Sequence, residues 1–222
     1  MLRKINVGKR ILSANDEFAL ENSRLLADHK LLCFNMISSP GSGKTTILAR
    51  TITELKASLR IGVIEGDIKT DLDSQRIRRT NAPAVQIETG GACHLSAAQV
   101  AGALANLPIA ELDLVFIENV GNLVCPSAFQ LGENAKVVVL STAEGDDKPA
   151  KYPGSFANAK ALIVNKIDLL DIPGLLDFNI ERVRTDARNL NKDIRIFPLS
   201  AKTGSGFAAW CDWLGESVLR GR

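Results

Sequence analysis

Ser38-Ser39-Pro40-Gly41-Ser42-Gly43-Lys44-Thr45-Thr46 can hold a row of phosphates, and the fold is read outward from it. The apolar run Leu31-Leu32-Cys33-Phe34-Asn35-Met36-Ile37 comes before it and the helix-favouring Ile47-Leu48-Ala49-Arg50 after it. That is the strand, loop and helix order a phosphate loop requires. Inward-turned backbone amides and the helix N-terminus together favour an anion. Gly41 and Gly43 permit backbone shapes and close approaches that a Cβ would obstruct. Ser42 and Thr46 complete the cradle, Lys44 is placed to reach the β- and γ-phosphates, and the Thr45 hydroxyl is a Mg²⁺ ligand. In the full pattern G-x-x-x-x-G-K-[ST] the first glycine falls at position 38, where this chain has Ser.

Around this loop, apolar runs alternate with helical segments. Strands are expected at Leu31–Ile37, Arg60–Asp67, Ala84–Glu88, Leu114–Asn119, Lys136–Thr142, Ala161–Asn165 and Ile194–Leu199. Runs such as Val137-Val138-Val139-Leu140 are apolar on both faces, as in a parallel sheet covered on each side. The expected fold is α/β: a three-layer P-loop NTPase fold with a mostly parallel central sheet flanked by helices. No linker, repeat or low-complexity tract divides the sequence, so residues 1–222 read as a single domain, with an N-terminal helix around residues 12–29. Its stripe of Phe18, Leu20, Leu25 and Leu26 is expected to pack mainly on the sheet.

Composition narrows the function. With 222 residues, 45% hydrophobic and 23% charged, the chain has ordinary globular proportions. A net charge of +2 gives no footprint for nucleic acid, and Arg76-Ile77-Arg78-Arg79 reads as a solvated helix face. No apolar run is long enough to span a membrane, and Met1-Leu2-Arg3-Lys4-Ile5-Asn6 lacks a signal peptide's apolar core, so a cytoplasmic protein is expected. Four cysteines in a chain of this length are expected as free thiols, some of them possible metal ligands.

Four further segments point to a guanine nucleotide. Asn165-Lys166-Ile167-Asp168 ends an apolar strand, where open α/β sheets bind ligands. The Asp168 carboxylate can accept hydrogen bonds from guanine N1–H and its exocyclic amine. Adenine has neither donor at those positions. Losing such a buried charged pairing costs on the order of 2–5 kcal/mol. Ser200-Ala201-Lys202-Thr203-Gly204 follows the last strand as a second base-contacting loop, with a backbone amide near Ala201 facing guanine O6. Leu114-Val115-Phe116-Ile117 delivers Glu118 toward the metal, and Gly121 can bring its N–H to the γ-phosphate. Glu65-Gly66-Asp67 ends the second strand, with Asp67 near the metal and the attacking water. Lys44, Asp67 and Glu118 form the expected catalytic set, and Thr45, Asp67 and Glu118 the expected Mg²⁺ ligands.

Gly90-Gly91-Ala92-Cys93-His94-Leu95 suggests a softer metal site. Behind the glycines, at a helix start, Cys93 and His94 could converge on one ion, with Cys125 of Asn122-Leu123-Val124-Cys125-Pro126 as third ligand. Thiolate and imidazole suit Zn²⁺ or Ni²⁺ better than Mg²⁺. The competing arrangement is two buried thiols and a capping histidine. Cys33 and Cys211 read as packing residues.

Ser38–Thr46, Gly90–Leu95 (G-x-x-C-H-L), Glu118–Pro126 (E-N-V-G-N-L-V-C-P), Glu144–Pro153 (EGDDKPAKYP) and Asn165–Leu169 together resemble the HypB family of hydrogenase nickel-incorporation GTPases. The pair G-x-x-C-H-L and E-N-V-G-N-L-V-C-P is the specific part, and the family shares Ser at position 38. The resemblance implies a GTPase of the class containing signal-recognition and MinD-type proteins, cycling between GTP and GDP and dimerising with nucleotide or metal. It implies Ni²⁺ or Zn²⁺ on Cys93, His94 and Cys125, and delivery partners such as HypA and the hydrogenase large subunit. The N-terminal cysteine motif and histidine-rich tract of many relatives are not among these residues, and the family's Asp after C-H-L is Ser96. A urease-type nickel GTPase carries Cys-Pro-His, whereas Cys125-Pro126 runs on into Ser127. A metal-responsive nucleotide-binding regulator without turnover is the rival of another class. Lys148, in the EGDDKPAKYP segment, could reach a nucleotide across a dimer or stay a solvated loop residue.

Overall fold

The computed structural model describes the backbone of residues 7–67 and 71–221 and the side chains of residues 14–66 and 75–221. Every expected strand forms: β1 Leu32–Ser38, β2 Ile61–Asp67, β3 Ala84–Glu88, β4 Leu114–Gly121, β5 Ala135–Ser141, β6 Ala159–Asn165 and β7 Arg195–Pro198. They make one seven-stranded sheet in the order β3-β2-β4-β1-β5-β6-β7, with every strand pairing parallel. The helices are α1 Val7–Asp28, α2 Lys44–Leu55, α3 Asp71–Arg78, α4 Ala97–Leu104, α5 Cys125–Ala128, α6 Lys148–Lys151, α7 Pro153–Ala157, α8 Ile180–Leu190 and α9 Phe207–Gly221.

The central strands are buried on both faces, which is why they need no polar alternation. Beneath α2 and α9 lies a core holding Phe34, Met36, Ile47, Phe116 and Trp210. On the opposite face Leu26 of α1 and Val100 of α4 close over Cys33, Ile64 and Ile117. A third cluster joins Val138, Leu140 and Leu162 to Phe156 and Val183. Trp210 is fully buried and donates its indole N–H to Thr51 Oγ1 at 3.0 Å, fixing α9 on α2.

The α1 stripe packs only in part. Leu26 is buried, while Phe18 and Leu20 are 42% and 53% exposed. Polar residues contribute the rest of the contact. Asn15 and Asn22 of α1 are buried and hydrogen-bond the backbone at Ala97, Gln130 and Leu131. Among the described residues no helix is long and apolar enough to cross a membrane.

β1 lies between β4 and β5; the connection leaving β1 runs toward β2 on one side, and that leaving β5 runs toward β6 on the other. The carboxyl end of β1 is thus the switch point where such sheets open a crevice.

Candidate functional site

The phosphate loop leaves β1 at this crevice. Gly43 precedes α2 with φ +95°, a conformation costly for a residue with a Cβ. A Cβ there would also lie 2.5 Å from Asn165 Nδ2. Lys44 and Thr45 open the helix, both buried. Lys44 Nζ donates to Ser38 Oγ at 2.7 Å, so the residue replacing the first glycine steadies the phosphate-directed ammonium. Thr45 Oγ1 donates to Glu118 Oε1 at 2.7 Å. Gly121 faces the loop so closely that a Cβ would sit 3.0 Å from Pro40 Cα. A cavity of about 450 Å³ opens between these segments, lined by the loop together with Glu65, Arg76, Glu118, Gly121 and Lys166.

A smaller cavity of about 210 Å³ shares Gly43, Thr46 and Lys166 with the first and extends to Asp168, Ser200 and Lys202. Asn165 braces its walls: Nδ2 donates to Ser42 O at 2.8 Å and Oδ1 accepts from Ala201 N at 3.1 Å. Lys166, held in the left-handed region at φ 64°, donates to Gly41 O at 2.8 Å. Asp168 Oδ1 is buried and has no protein hydrogen-bond partner, an acceptor suited to a base edge. The loop expected to offer a backbone amide near Ala201 lines this cavity, and the Ala201 N–H itself donates to Asn165 Oδ1.

Next to the phosphate cavity the chain turns from β4 into α5. Asn122 Nδ2 donates to Cys93 O at 3.3 Å, and its Oδ1 accepts from Val124 N at 2.8 Å. It thereby links the two segments that carry sulfur. The ligand atoms of Cys93, His94 and Cys125 lie within 4.8 Å of one another, and Cys93 Sγ is 3.4 Å from His94 Nδ1. The His94 ring stacks on Phe129 at 3.9 Å and 25°. Cys93 is exposed and Cys125 partly buried, so the alternative of two buried thiols does not occur. The helix-start expectation is displaced: α4 begins at Ala97, capped by a reciprocal Ser96–Gln99 pair, and Cys93-His94 lie in the loop before it.

A hydrogen bond shared with Cys125 pushes the Cys93 thiol above its ordinary value, and partial burial lowers the His94 imidazole. Neutral imidazole is the metal-binding form, and thiols release protons on binding. Cys33 and Cys211 are packing residues, both raised chiefly by burial.

Of the expected site residues, the Asp67 side chain lies outside the described residues; only its backbone, at the end of β2, is described. Lys148 opens α6 with its ammonium 5.7 Å from the Tyr152 ring centre. Two cavity residues were missed. Glu65 is buried beside the phosphate cavity, and a carboxylate directly after the apolar run Ile61-Gly62-Val63-Ile64 was the available signal. Arg76, read as part of a solvated face, lines the cavity 3.5 Å from Thr46 Oγ1.

Comparison with known proteins agrees with this geometry. The family described as CobW/HypB/UreG, nucleotide-binding domain, matches residues 33–198. The hydrogenase maturation factor HypB of Escherichia coli K12 is 47% identical over 212 residues, covering 96% of this chain and 72% of that protein. Crystal structures of HypB from Archaeoglobus fulgidus and of HypB from Helicobacter pylori in complex with nickel superpose with TM-scores of 0.85 and 0.86. They are 36% and 37% identical, over 93% of this chain and 100% and 96% of theirs. The signal recognition particle receptor FtsY of Elizabethkingia anophelis, 16% identical over 84% of this chain and 66% of its own, shares the fold at a TM-score of 0.53. On its sequence, sheet topology and clustered Cys-His-Cys side chains, the chain belongs to the HypB hydrogenase maturation factors of the CobW/HypB/UreG nucleotide-binding family.

Proposed function

We propose that this chain hydrolyses GTP to GDP and phosphate and carries nickel for insertion into [NiFe]-hydrogenase, with the nucleotide state setting how the metal is held. One observation supports the coupling above all. The β4 segment that begins at Glu118, hydrogen-bonded to Thr45, continues through Gly121 to Asn122, which holds the Cys93 carbonyl, and on to Cys125. Residues that sense the phosphates and residues that hold the metal therefore share one short stretch of backbone.

Several of the proposed roles have support in the geometry. Lys44, steadied by Ser38, neutralises the β- and γ-phosphates, while Gly41, Ser42, Gly43 and Thr46 offer backbone and hydroxyl donors. Thr45 and Glu118 form a hard oxygen pair suited to Mg²⁺, which when bound would supply charge neutralisation at the phosphates. Gly121, without a Cβ, can approach the γ-phosphate past Pro40. Asp67 remains the proposed orienter of the attacking water. Asp168 reads guanine N1–H and the exocyclic amine, with Asn165, Lys166, Ser200 and Ala201 shaping the base cleft and Lys202 N–H directed to O6. The three soft ligands favour nickel or zinc; the nickel complex of the Helicobacter pylori HypB favours nickel as cargo here.

Cys93, His94 and Cys125 leave a position of a four-coordinate ion open, which a second copy or a recipient can fill. We therefore infer a homodimer dependent on nucleotide or metal, passing nickel to HypA or the hydrogenase large subunit. Phosphate release from GTP, measured beside nickel binding in wild type, Cys93→Ala and Cys125→Ala, tests the function. Turnover in wild type with nickel binding lost in both variants supports it. Nickel binding without any phosphate release would replace it with a regulatory role.

A further inference from the structure

A polar side chain inside a covered parallel sheet is costly unless its groups are paired. This sheet holds several on adjacent strands. Asn35 on β1, Asn119 on β4 and Lys136 on β5 are all buried, and Asn35 and Lys136 are direct register partners. Their hydrogen bonds and one ion pair form a continuous chain. Asn119 Oδ1 accepts from Leu95 N at 3.2 Å, and Asn119 Nδ2 donates to Asn35 Oδ1 at 3.1 Å. Asn35 Nδ2 donates to Glu133 Oε1 at 3.0 Å, and that oxygen lies 3.6 Å from Lys136 Nζ. Lys136 in turn donates to Ser127 O and Phe129 O at 3.0 and 2.9 Å.

The ends of this chain are informative. Leu95 directly follows His94. Ser127 and Phe129 lie just beyond Cys125, and Phe129 carries the stacked His94 ring. Asn119 directly follows Glu118, the partner of Thr45 in the phosphate cavity. Two asparagines of α1 tie nearby points without touching β4: Asn15 binds Ala97 N and Gln130 O, and Asn22 binds Ala97 O and Leu131 O. The backbone from Glu118 to Cys125 and the Asn122–Cys93 hydrogen bond already join the nucleotide end of β4 to both segments, and the Asn35–Asn119 pair adds a second link through the core.

We propose that the buried amide pair Asn35–Asn119, continued through Glu133 and Lys136, transmits movement of the nucleotide end of β4 to both metal-bearing segments. Asn35 and Asn119 are positioning residues: Asn119 lines the phosphate cavity beside Glu118 and Gly121, but its amide is spent on Leu95, Val120 and Asn35, and both act on the separation of Cys93-His94 from Cys125. The inference rests on the proposed coupling of nickel binding to nucleotide state. A shift of Asn119 pulls on the Leu95 amide and, through Asn35, on the carboxylate that orients Lys136. In a fully paired buried network no member moves alone without leaving a group unsatisfied.

The test is the ratio of nickel affinities with a non-hydrolysable GTP analogue and with GDP, Mg²⁺ present in both, on the full chain. Affinity is read by chelator competition and by nickel–thiolate absorbance. Allosteric couplings commonly lie between about 5- and 150-fold, and the wild type is expected in that range. Asn119→Ala and Asn35→Ser cut the chain at different links and should each lower the ratio by about threefold or more, the backbone link remaining, with GDP affinity retained in Asn35→Ser; a loss of that size is readable against the same range. Asn22→Ala, the control for general loosening, should change nickel affinity equally in both states and keep the ratio. Thermal unfolding with GDP confirms folding, and if Asn119→Ala does not fold, Asn35→Ser decides. A wild-type ratio in Asn35→Ser, or equal loss of the ratio in Asn22→Ala, overturns the inference alone. A ratio of one in the wild type overturns the underlying coupling and the inference with it.

Discussion

Asp168→Asn should change which purine this chain prefers. Oδ1 of Asp168 is buried in the base cleft without a protein partner, so a base that donates to it gains hydrogen bonds to a charged acceptor. Each such bond contributes about 1.5–3 kcal/mol, so the pair contributes about 3–6 kcal/mol against a base lacking both donors. Asparagine keeps one acceptor and sets an N–H₂ group against a guanine donor. GDP affinity should fall by about 10²- to 10⁴-fold. Xanthine carries an oxygen where guanine has its amine, and the Asn amide can donate to it. Xanthosine diphosphate should therefore bind the variant better than GDP does, reversing the wild-type order. Displacement of a fluorescent guanine nucleotide by GDP and by xanthosine diphosphate measures both affinities. If the variant weakens both equally, or still prefers GDP, Asp168 does not read the base.

Three further outcomes are expected. Gly43→Ala should weaken GDP binding by about 10- to 100-fold, because left-handed strain of about 1–2 kcal/mol adds to displacement of Asn165; Gly41→Ala, whose Cβ would meet nothing within 4 Å, should cost less in the same titration. Trp210→Ala should destabilise the fold by about 3–5 kcal/mol, read as a lower denaturant midpoint. Alkaline pH should also destabilise it: burial raises the Cys211 thiol from 9.0 to about 11, so across that window the folded state holds a proton that the unfolded state has released. Stability then falls as pH rises from 9.0 to about 11, and Cys211→Ala should show a shallower loss of Tm.

The strands were legible because burial on both faces leaves little choice of residue, as in Val137-Val138-Val139-Leu140. The phosphate loop and the Asn165–Asp168 motif were legible because phosphate and base chemistry tolerate few residue types at fixed spacing. Long-range partnerships were not. Nothing local announces that Ser38 accepts from Lys44, that Asn165 takes the Ala201 amide, or that Arg76 turns from α3 toward Thr46. Asn35 and Lys136 are polar residues within otherwise apolar strands. Only the register that sets β1 beside β5 makes them neighbours. The α1 stripe misled for a related reason: Asn15 and Asn22 make buried contacts that a hydrophobic pattern does not weigh, while Phe18 and Leu20 stay exposed.

The most direct measurement loads the chain with nickel, adds GTP and Mg²⁺, and follows phosphate release and nickel–thiolate absorbance through the same single turnover. A shared stretch of backbone from Glu118 to Cys125 predicts that the absorbance changes on GTP binding and returns, or is lost with the metal, at the rate of phosphate release. An absorbance band that stays constant while a full equivalent of phosphate appears would contradict the account.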